Sequence, residues 1–141
     1  MDNGSNDGSC AFVAARYPWV HLIELPENFG FCKAVNEGIR ASRSPYVLLL
    51  NNDIEVTENF IEEMLSAIKR HPKAFSCAVR MIQFHDRDRL DDAGNYYCAL
   101  GWAYARGKGK NIHTYEKEEK IFASCAGAAI YRKKTVSYTH L

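Results

Sequence analysis

Three polar loops carry the groups whose types and spacing suit chemistry. Asn51-Asn52-Asp53 follows Leu48-Leu49-Leu50 without a break. A carboxylate at a strand end can take a hard divalent cation through oxygen and leave positions for waters and phosphate oxygens. Such a cation would offset charge building on a leaving diphosphate. Asn and Asp are also ordinary turn formers, so a strand-capping turn is the competing reading. Asp2-Asn3-Gly4-Ser5 could hold a nucleobase or ribose through its carboxylate and amide. The competing reading there is a helix-entry turn capped by Ser5, Asp7 or Ser9. Asn28-Phe29-Gly30-Phe31 leads into a helix whose N-terminus could face a phosphate. Lys33 could add charge there, although one Lys near a helix start is more often solvated surface.

The other chemically capable residues form weaker patterns. His21, His71, His85, His113 and His140 show no ligand spacing. Asp86, Asp88, Asp91 and Asp92, interleaved with Arg87 and Arg89, read most simply as a solvated loop, with an acceptor-site role as the minority reading. Cys10, Cys32, Cys77, Cys98 and Cys125 are widely and irregularly spaced with no C-x-x-C pair, which argues against a disulfide framework or a structural zinc site. Neither G-x-G-x-x-G nor G-x-x-x-x-G-K-[ST] occurs.

The elements that must position these loops are legible from pattern. Cys10 to Arg16 reads as a short helix ended by Tyr17-Pro18. Val20 to Leu25 alternates as a strand would, and Cys32, Val35 and Ile39 recur at helical spacing. Tyr46 to Leu50 is apolar on both faces, as in a central parallel strand. Thr57 suits an N-cap, and Phe60, Ile61, Met64, Leu65 and Ile68 form one apolar stripe. Phe75, Cys77, Val79, Met81 and Phe84 alternate over the next strand. Residues 94–106 are aromatic-rich, Gly107-Lys108-Gly109-Lys110 is a flexible turn, and residues 121–131 are a small-residue segment. Alternating helices and strands predict an α/β fold with a mostly parallel sheet flanked by helices. In such a sheet, ligands bind at the carboxyl ends of strands, which would place the three loops on one rim.

Composition narrows the class. The chain has 141 residues, 47% of them hydrophobic, enough for one core. Eighteen Lys and Arg against 17 Asp and Glu give a net charge of +1, which argues against a nucleic-acid partner. No apolar run approaches the roughly 20 residues of a transmembrane segment. Neither a basic, apolar leader nor a disulfide pattern is present, so a cytoplasmic location is the expectation.

Taken together the loops resemble the family 2 glycosyltransferases, which have the GT-A fold. Residues 2–9, DNGSNDGS, are similar to that family's D-N-x-S-x-D-G-S loop. Residues 28–39 resemble its N-x-G-F-x-x-A-x-N-x-G-I segment, and Leu50-Asn51-Asn52-Asp53 the L-N-x-D form of its metal motif. Gly127-Ala128-Ala129, followed by Arg132, resembles its G-A-x block. The wording is similar to the rhamnosyltransferase-like branch, which builds cell-surface polysaccharides.

The resemblance implies roles. Asp2 would contact the base of a UDP- or dTDP-linked sugar, with Asn3 and Ser5 shaping that pocket. Gly30, Lys33 and Asn36 would line the donor site. Asp53 would bind Mg²⁺ or Mn²⁺ bridging the diphosphate. Asn51 stands where many relatives carry an acid, so metal affinity would rest mainly on Asp53. Gly127 and Ala128 would let the backbone approach the donor sugar or the acceptor closely. The implied reaction is inverting transfer to a saccharide or lipid-linked acceptor, at the inner face of a membrane in the lipid-linked case. In the family the general base follows the G-A-x block, and no acid follows Glu119 here. The expectation is therefore a partial GT-A domain over residues 1–135. It would lack its first strand–helix unit and its catalytic base, and would carry a non-native tail at 136–141. A nucleotide- and metal-binding module without catalysis, or an inactive truncation, is the alternative.

Overall fold

The computed structural model describes residues 1–140, with the side chains of 137–140 left aside. It divides into two compact units, residues 1–45 with 133–140, and residues 46–132. Helices and strands are mixed along the chain, as an α/β fold requires.

The first unit holds α1 (Ser9–Arg16), α2 (Phe31–Ala41) and α4 (Lys133–His140). Ala34 and Ile39 of α2 are buried, α2 packs on α4, and Val136 of α4 is buried too. Of the tail expected at 136–141, residues 136–140 continue α4, and Leu141 lies outside the described residues. The strand expected over Val20 to Leu25 is reduced to a parallel bridge between Asp2 and Glu24. Asp2 donates its amide to the Ile23 carbonyl at 2.8 Å and accepts from the Leu25 amide at 3.1 Å. Asp2 supplies the pairing for this stretch, so the ladder stops after one residue.

The second unit is built on a three-stranded sheet. Its strands are β1 (Tyr46–Leu50), β2 (Ser76–Ala78) and β7 (Ala128–Arg132), in the order β1-β7-β2. This corrects the expectation of a mostly parallel sheet with β1 at its centre. β7 is antiparallel to both neighbours, pairing Leu48 with Ile130 and Cys77 with Ile130. β1 and β2 still point the same way, because each opposes β7. The small-residue segment supplies the inserted central strand, with Ala128, Ala129 and Ile130 all buried.

Helix α3 (Phe60–Arg70) links β1 to β2 and packs on β7. Met64, Ile68 and Ile130 form the buried cluster, with Tyr46, Leu48, Phe60, Leu65, Cys77 and Val79 packed against it. The helix begins later than the Thr57 cap predicts. The Phe60 amide donates to the Thr57 carbonyl at 3.2 Å in a preceding turn, and Asn59 becomes the N-cap. Glu62 and Glu63 then occupy its positive first turn, and Lys69 and Arg70 its negative last turn.

The remaining strands form two ribbons. β3 (Met81–Ile82) pairs antiparallel with β4 (Leu90–Asp92), and β5 (Asn95–Tyr97) with β6 (Ala103–Ala105). The strand expected over Phe75 to Phe84 is thus split between two sheets. The solvated reading of the acidic run holds for Asp86 and Asp88 but fails at Asp92, which is 6% exposed beside the fully buried Leu90. Burial pushes the Asp92 carboxyl up, against an opposing hydrogen bond from the Gly94 amide. The five cysteines are free thiols.

Candidate functional site

The residues expected at the site fall into two groups, one in each unit. In the first unit, Asp2 organises its own turn. Oδ2 accepts from the Gly4 amide at 3.0 Å and from the Ser5 amide at 2.8 Å, and Oδ1 accepts from the Ser5 hydroxyl at 2.6 Å. These bonds stabilise the anion, so the Ser5 hydroxyl first, and then its amide, hold the Asp2 carboxyl below the ordinary value. Asp7 repeats the device, accepting from the Ser9 hydroxyl at 2.6 Å and the Ser9 amide at 3.0 Å. Gly8, rather than Ser5, Asp7 or Ser9, is the N-cap of α1. Burial first, and then the Glu24 and Asp2 carboxylates, push the Cys10 thiol up to about 11.

The Asp2 linkage gives a directional expectation. A depressed folded pKa stabilises the turn above the unfolded Asp value, and the contribution is lost as pH falls through the lowered folded value. The Gly4 and Ser5 amide resonances should hold steady from neutrality to about pH 4 and move together below it, since a free Asp titrates near 3.9. Movement that is complete before the pH reaches that value would show that the carboxylate does not hold the turn.

Asn3 ties this turn to the 28–30 loop. Its Oδ1 accepts from the Phe29 amide at 3.0 Å, and its Nδ2 donates to Asn28 Oδ1 at 2.9 Å. Asn28 Oδ1 also accepts from the Gly30 amide at 2.9 Å. Gly4 lies against the same loop, where a Cβ would sit 2.4 Å from the Glu27 carbonyl carbon. Gly30 caps α2 at φ 83° and ψ 163°, a region that side chains other than glycine's avoid. Lys33, in the first turn of α2, places its ammonium 3.6 Å from the centre of the Phe29 ring. Asn36 lies one turn further along α2 and is partly buried.

Asp2, Asn3, Ser5, Gly30 and Lys33 are therefore brought into one pair of joined loops at the start of α2. Asn28, in sequence only a member of its motif, is the acceptor that joins the loops. Its signal was present in the Asn-Phe-Gly step before the helix.

In the second unit, Asn51, Asp53, Gly127 and Ala128 gather at the end of β1. Leu50 pairs with Ala128, and the Asn51 amide donates to the Gly127 carbonyl at 2.8 Å. A Cβ on Gly127 would lie 3.7 Å from Asn51 Nδ2 and 3.6 Å from Cys125 Sγ, so the two segments sit in close contact. Asp53 lies two residues beyond and is exposed, with no hydrogen bond or ion pair among the described residues. Among the described residues no three His, Cys, Asp or Glu side chains converge as a metal cage. A lone carboxylate fits an ion that keeps waters and takes most remaining ligands from substrate phosphates, as Mg²⁺ does.

Arg132, which follows the G-A-x block, works on the scaffold. Its guanidinium donates to the carbonyls of Ile68, His71 and Ala74 at the end of α3, and to the Tyr46 hydroxyl. No helix among the described residues is long and apolar enough to cross a membrane.

A family model described as Glycosyl transferase family 2 matches residues 1–138. The chain is also similar to the N-acetylglucosaminyl-diphospho-decaprenol L-rhamnosyltransferases of two Mycobacterium tuberculosis strains, CDC 1551 / Oshkosh and ATCC 25618 / H37Rv. Each is 32% identical over 84 residues, covering 52% of this chain and 27% of the relative. The chain thus matches about a quarter of the length of these curated relatives. No solved structure gives a match of significance.

Proposed function

This chain belongs to glycosyl transferase family 2, and we propose that it forms the nucleotide-sugar-binding part of a GT-A glycosyltransferase. The donor is a UDP- or dTDP-linked sugar, and the acceptor a saccharide or a lipid-linked saccharide. The relatives above are named for a decaprenol-linked acceptor, which supports the lipid-linked class, and the process served is cell-surface polysaccharide synthesis.

The observation that carries this reading is Asp53, an exposed carboxylate with no partner among the described residues, two positions after Asn51, whose amide is bonded to Gly127. Asp53 would hold Mg²⁺ or Mn²⁺, with Asn51 as a neutral oxygen neighbour. A divalent cation bound there supplies positive charge against a departing diphosphate. Asp2, Asn3 and Ser5 would present a fixed polar turn to the base and ribose. The Asn3–Asn28 tie would keep that turn set before the donor arrives, reducing the ordering cost of binding. Gly30 and Lys33 would face the donor at the start of α2, with Asn36 behind them, and Gly127 and Ala128 would keep the sugar side open. None of the acids here is assigned as the general base of inverting transfer.

Titration calorimetry of the chain with UDP and with dTDP tests the reading. Binding that appears with Mn²⁺ or Mg²⁺ and falls away with EDTA is the expected outcome. An absence of binding to either nucleotide, with either metal, would sink it.

A further inference from the structure

Asp86, Asp88, Arg89 and Asn111 line a cavity of about 360 Å³ in the second unit. Its walls are two segments already fastened to each other. Arg89 and Asn111 form an antiparallel bridge. The Ile112 amide donates to the Asp88 carbonyl and the Leu90 amide to the Lys110 carbonyl, both at 2.8 Å. Arg89 Nη1 donates to the Gly109 carbonyl at 2.8 Å. The cavity is thus set before any ligand enters, which lowers the cost of binding. Its volume falls at the lower end of the range of about 300–1,000 Å³ for small-molecule sites, room for a single ring.

The lining decides the chemistry. Asp86 is occupied within it, with Oδ2 3.2 Å from Arg89 Nε and Oδ1 accepting from the Asp88 amide at 3.3 Å. The Asp88 carboxylate makes no hydrogen bond or ion pair among the described residues. Asn111 Oδ1 accepts from the His113 amide at 2.9 Å, which leaves Nδ2 as a donor. Arg89 has further N–H groups beyond its bonds to Asp86 and Gly109. One open acceptor thus stands beside two open donors. A phosphate would meet the Asp88 charge. A hard cation would meet the Arg89 guanidinium, and no three ligating side chains converge among the described residues. An apolar ligand would strand these groups unpaired. A neutral, hydroxyl-rich ring satisfies all three, since each O–H both donates and accepts. Arg87, between the two aspartates, donates to Glu55 Oε2 at 2.7 Å. Glu55 lies two residues beyond Asp53, so the cavity loop is tied to the segment that follows β1.

We propose that this cavity is the acceptor subsite, holding one pyranose ring of a saccharide through Asp88, Asn111 and Arg89. Asp88 accepts from ring hydroxyls, and Asn111 Nδ2 and the Arg89 guanidinium donate to them. The Arg87–Glu55 pair ties the subsite to the Asp53 loop, where a donor would be held. The inference rests on the proposed function, because a transferase must hold a second saccharide next to its donor.

Amide chemical shifts of the full chain, titrated with the methyl glycosides of glucose, galactose and mannose, test the subsite. At least one glycoside should shift the Asp88 and Asn111 amides at millimolar concentration, whereas glycerol should not. Asp88→Ala should weaken that binding about tenfold, the loss of a hydrogen bond to a charged group. Asp88→Asn keeps an acceptor and should lose only a few-fold. The carboxylate is exposed, so amide shifts away from the cavity should match the parent in both variants. No shift with any glycoside, or binding that Asp88→Ala leaves unchanged, would overturn the subsite. Shifts at Asp88 with Mn²⁺ and none with glycosides would overturn it in favour of a cation. Shifts there with UDP-glucose, but not with UDP or the glycosides, would overturn it in favour of the donor's own sugar. Glycosides are titrated without nucleotide or metal, and nucleotide is titrated without glycoside, so the two claims fail separately. Glycoside binding without nucleotide binding would leave a saccharide site and overturn its assignment to an acceptor.

Discussion

Asp53→Ala is expected to remove metal-dependent nucleotide binding while leaving the fold intact. The carboxylate is exposed and has no partner among the described residues, so its loss should leave the unfolding midpoint unchanged. No three ligating side chains converge among the described residues, so the ion would draw on few protein groups besides Asp53. The affinity contributed through the metal should therefore fall about 100-fold, the range seen when a single charge-assisted interaction is lost without replacement. Asn51→Ala provides the contrast. Its amide bond to the Gly127 carbonyl is main-chain and survives the substitution, so a change of only a few-fold is expected. Calorimetry with UDP or dTDP, with and without Mn²⁺, reads both variants. Parent-like affinity in Asp53→Ala would remove this carboxylate from the metal site. Loss of the folded state in the same variant would assign Asp53 to the scaffold.

What the sequence disclosed and what it hid divide along physical lines. Helices α1, α2 and α3 were legible because 3.6-residue periodicity and the stops after Arg16 and Arg70 are local signals. β1 was legible as an unbroken apolar run. β7 was hidden because it opens on Ala128-Ala129, small residues that do not mark a strand, and Ile130-Tyr131 is too short a run to do so alone. The property that concealed it suits its place, since small side chains fit a strand with neighbours on both edges and α3 on a face. The parallel expectation failed at that point, because an antiparallel insertion between β1 and β2 leaves no trace in the order of elements before it. Asp92 departs from the solvated expectation because charge argues for exposure, whereas the alternation through β4 buries Leu90 and Asp92 together. In the site, residue types were readable and contacts were not. The Asn3–Asn28 tie joins positions 25 residues apart, and no local pattern encodes such a pairing.

Arg132→Met should destabilise the chain by about 3 kcal/mol, a charged group with several carbonyl acceptors being worth roughly that much. The side chain reaches from the central strand to the C-terminal end of α3. Nε donates to the Ala74 carbonyl at 2.8 Å, and Nη2 to the carbonyls of Ile68 at 2.5 Å and His71 at 3.0 Å. Nη1 donates to the Tyr46 hydroxyl at 3.3 Å, and the guanidinium lies 5.5 Å from the centre of that ring. The last carbonyls of a helix have no partner within it, and a cation there also meets the negative end of the helix dipole. Methionine retains the apolar stem and its packing, but strands carbonyls in a half-buried position. Arg132→Lys should recover part of the loss, because one ammonium restores the charge but cannot span three carbonyls on two faces. Urea unfolding of the three proteins, with hydrogen exchange at Lys69 and Arg70, checks the ordering. Equal stability of the Lys variant and the parent would mean that charge alone matters. Equal stability of all three would mean that α3 is held by its apolar face against β7, through Met64, Ile68 and Ile130, with Arg132 adding nothing to it.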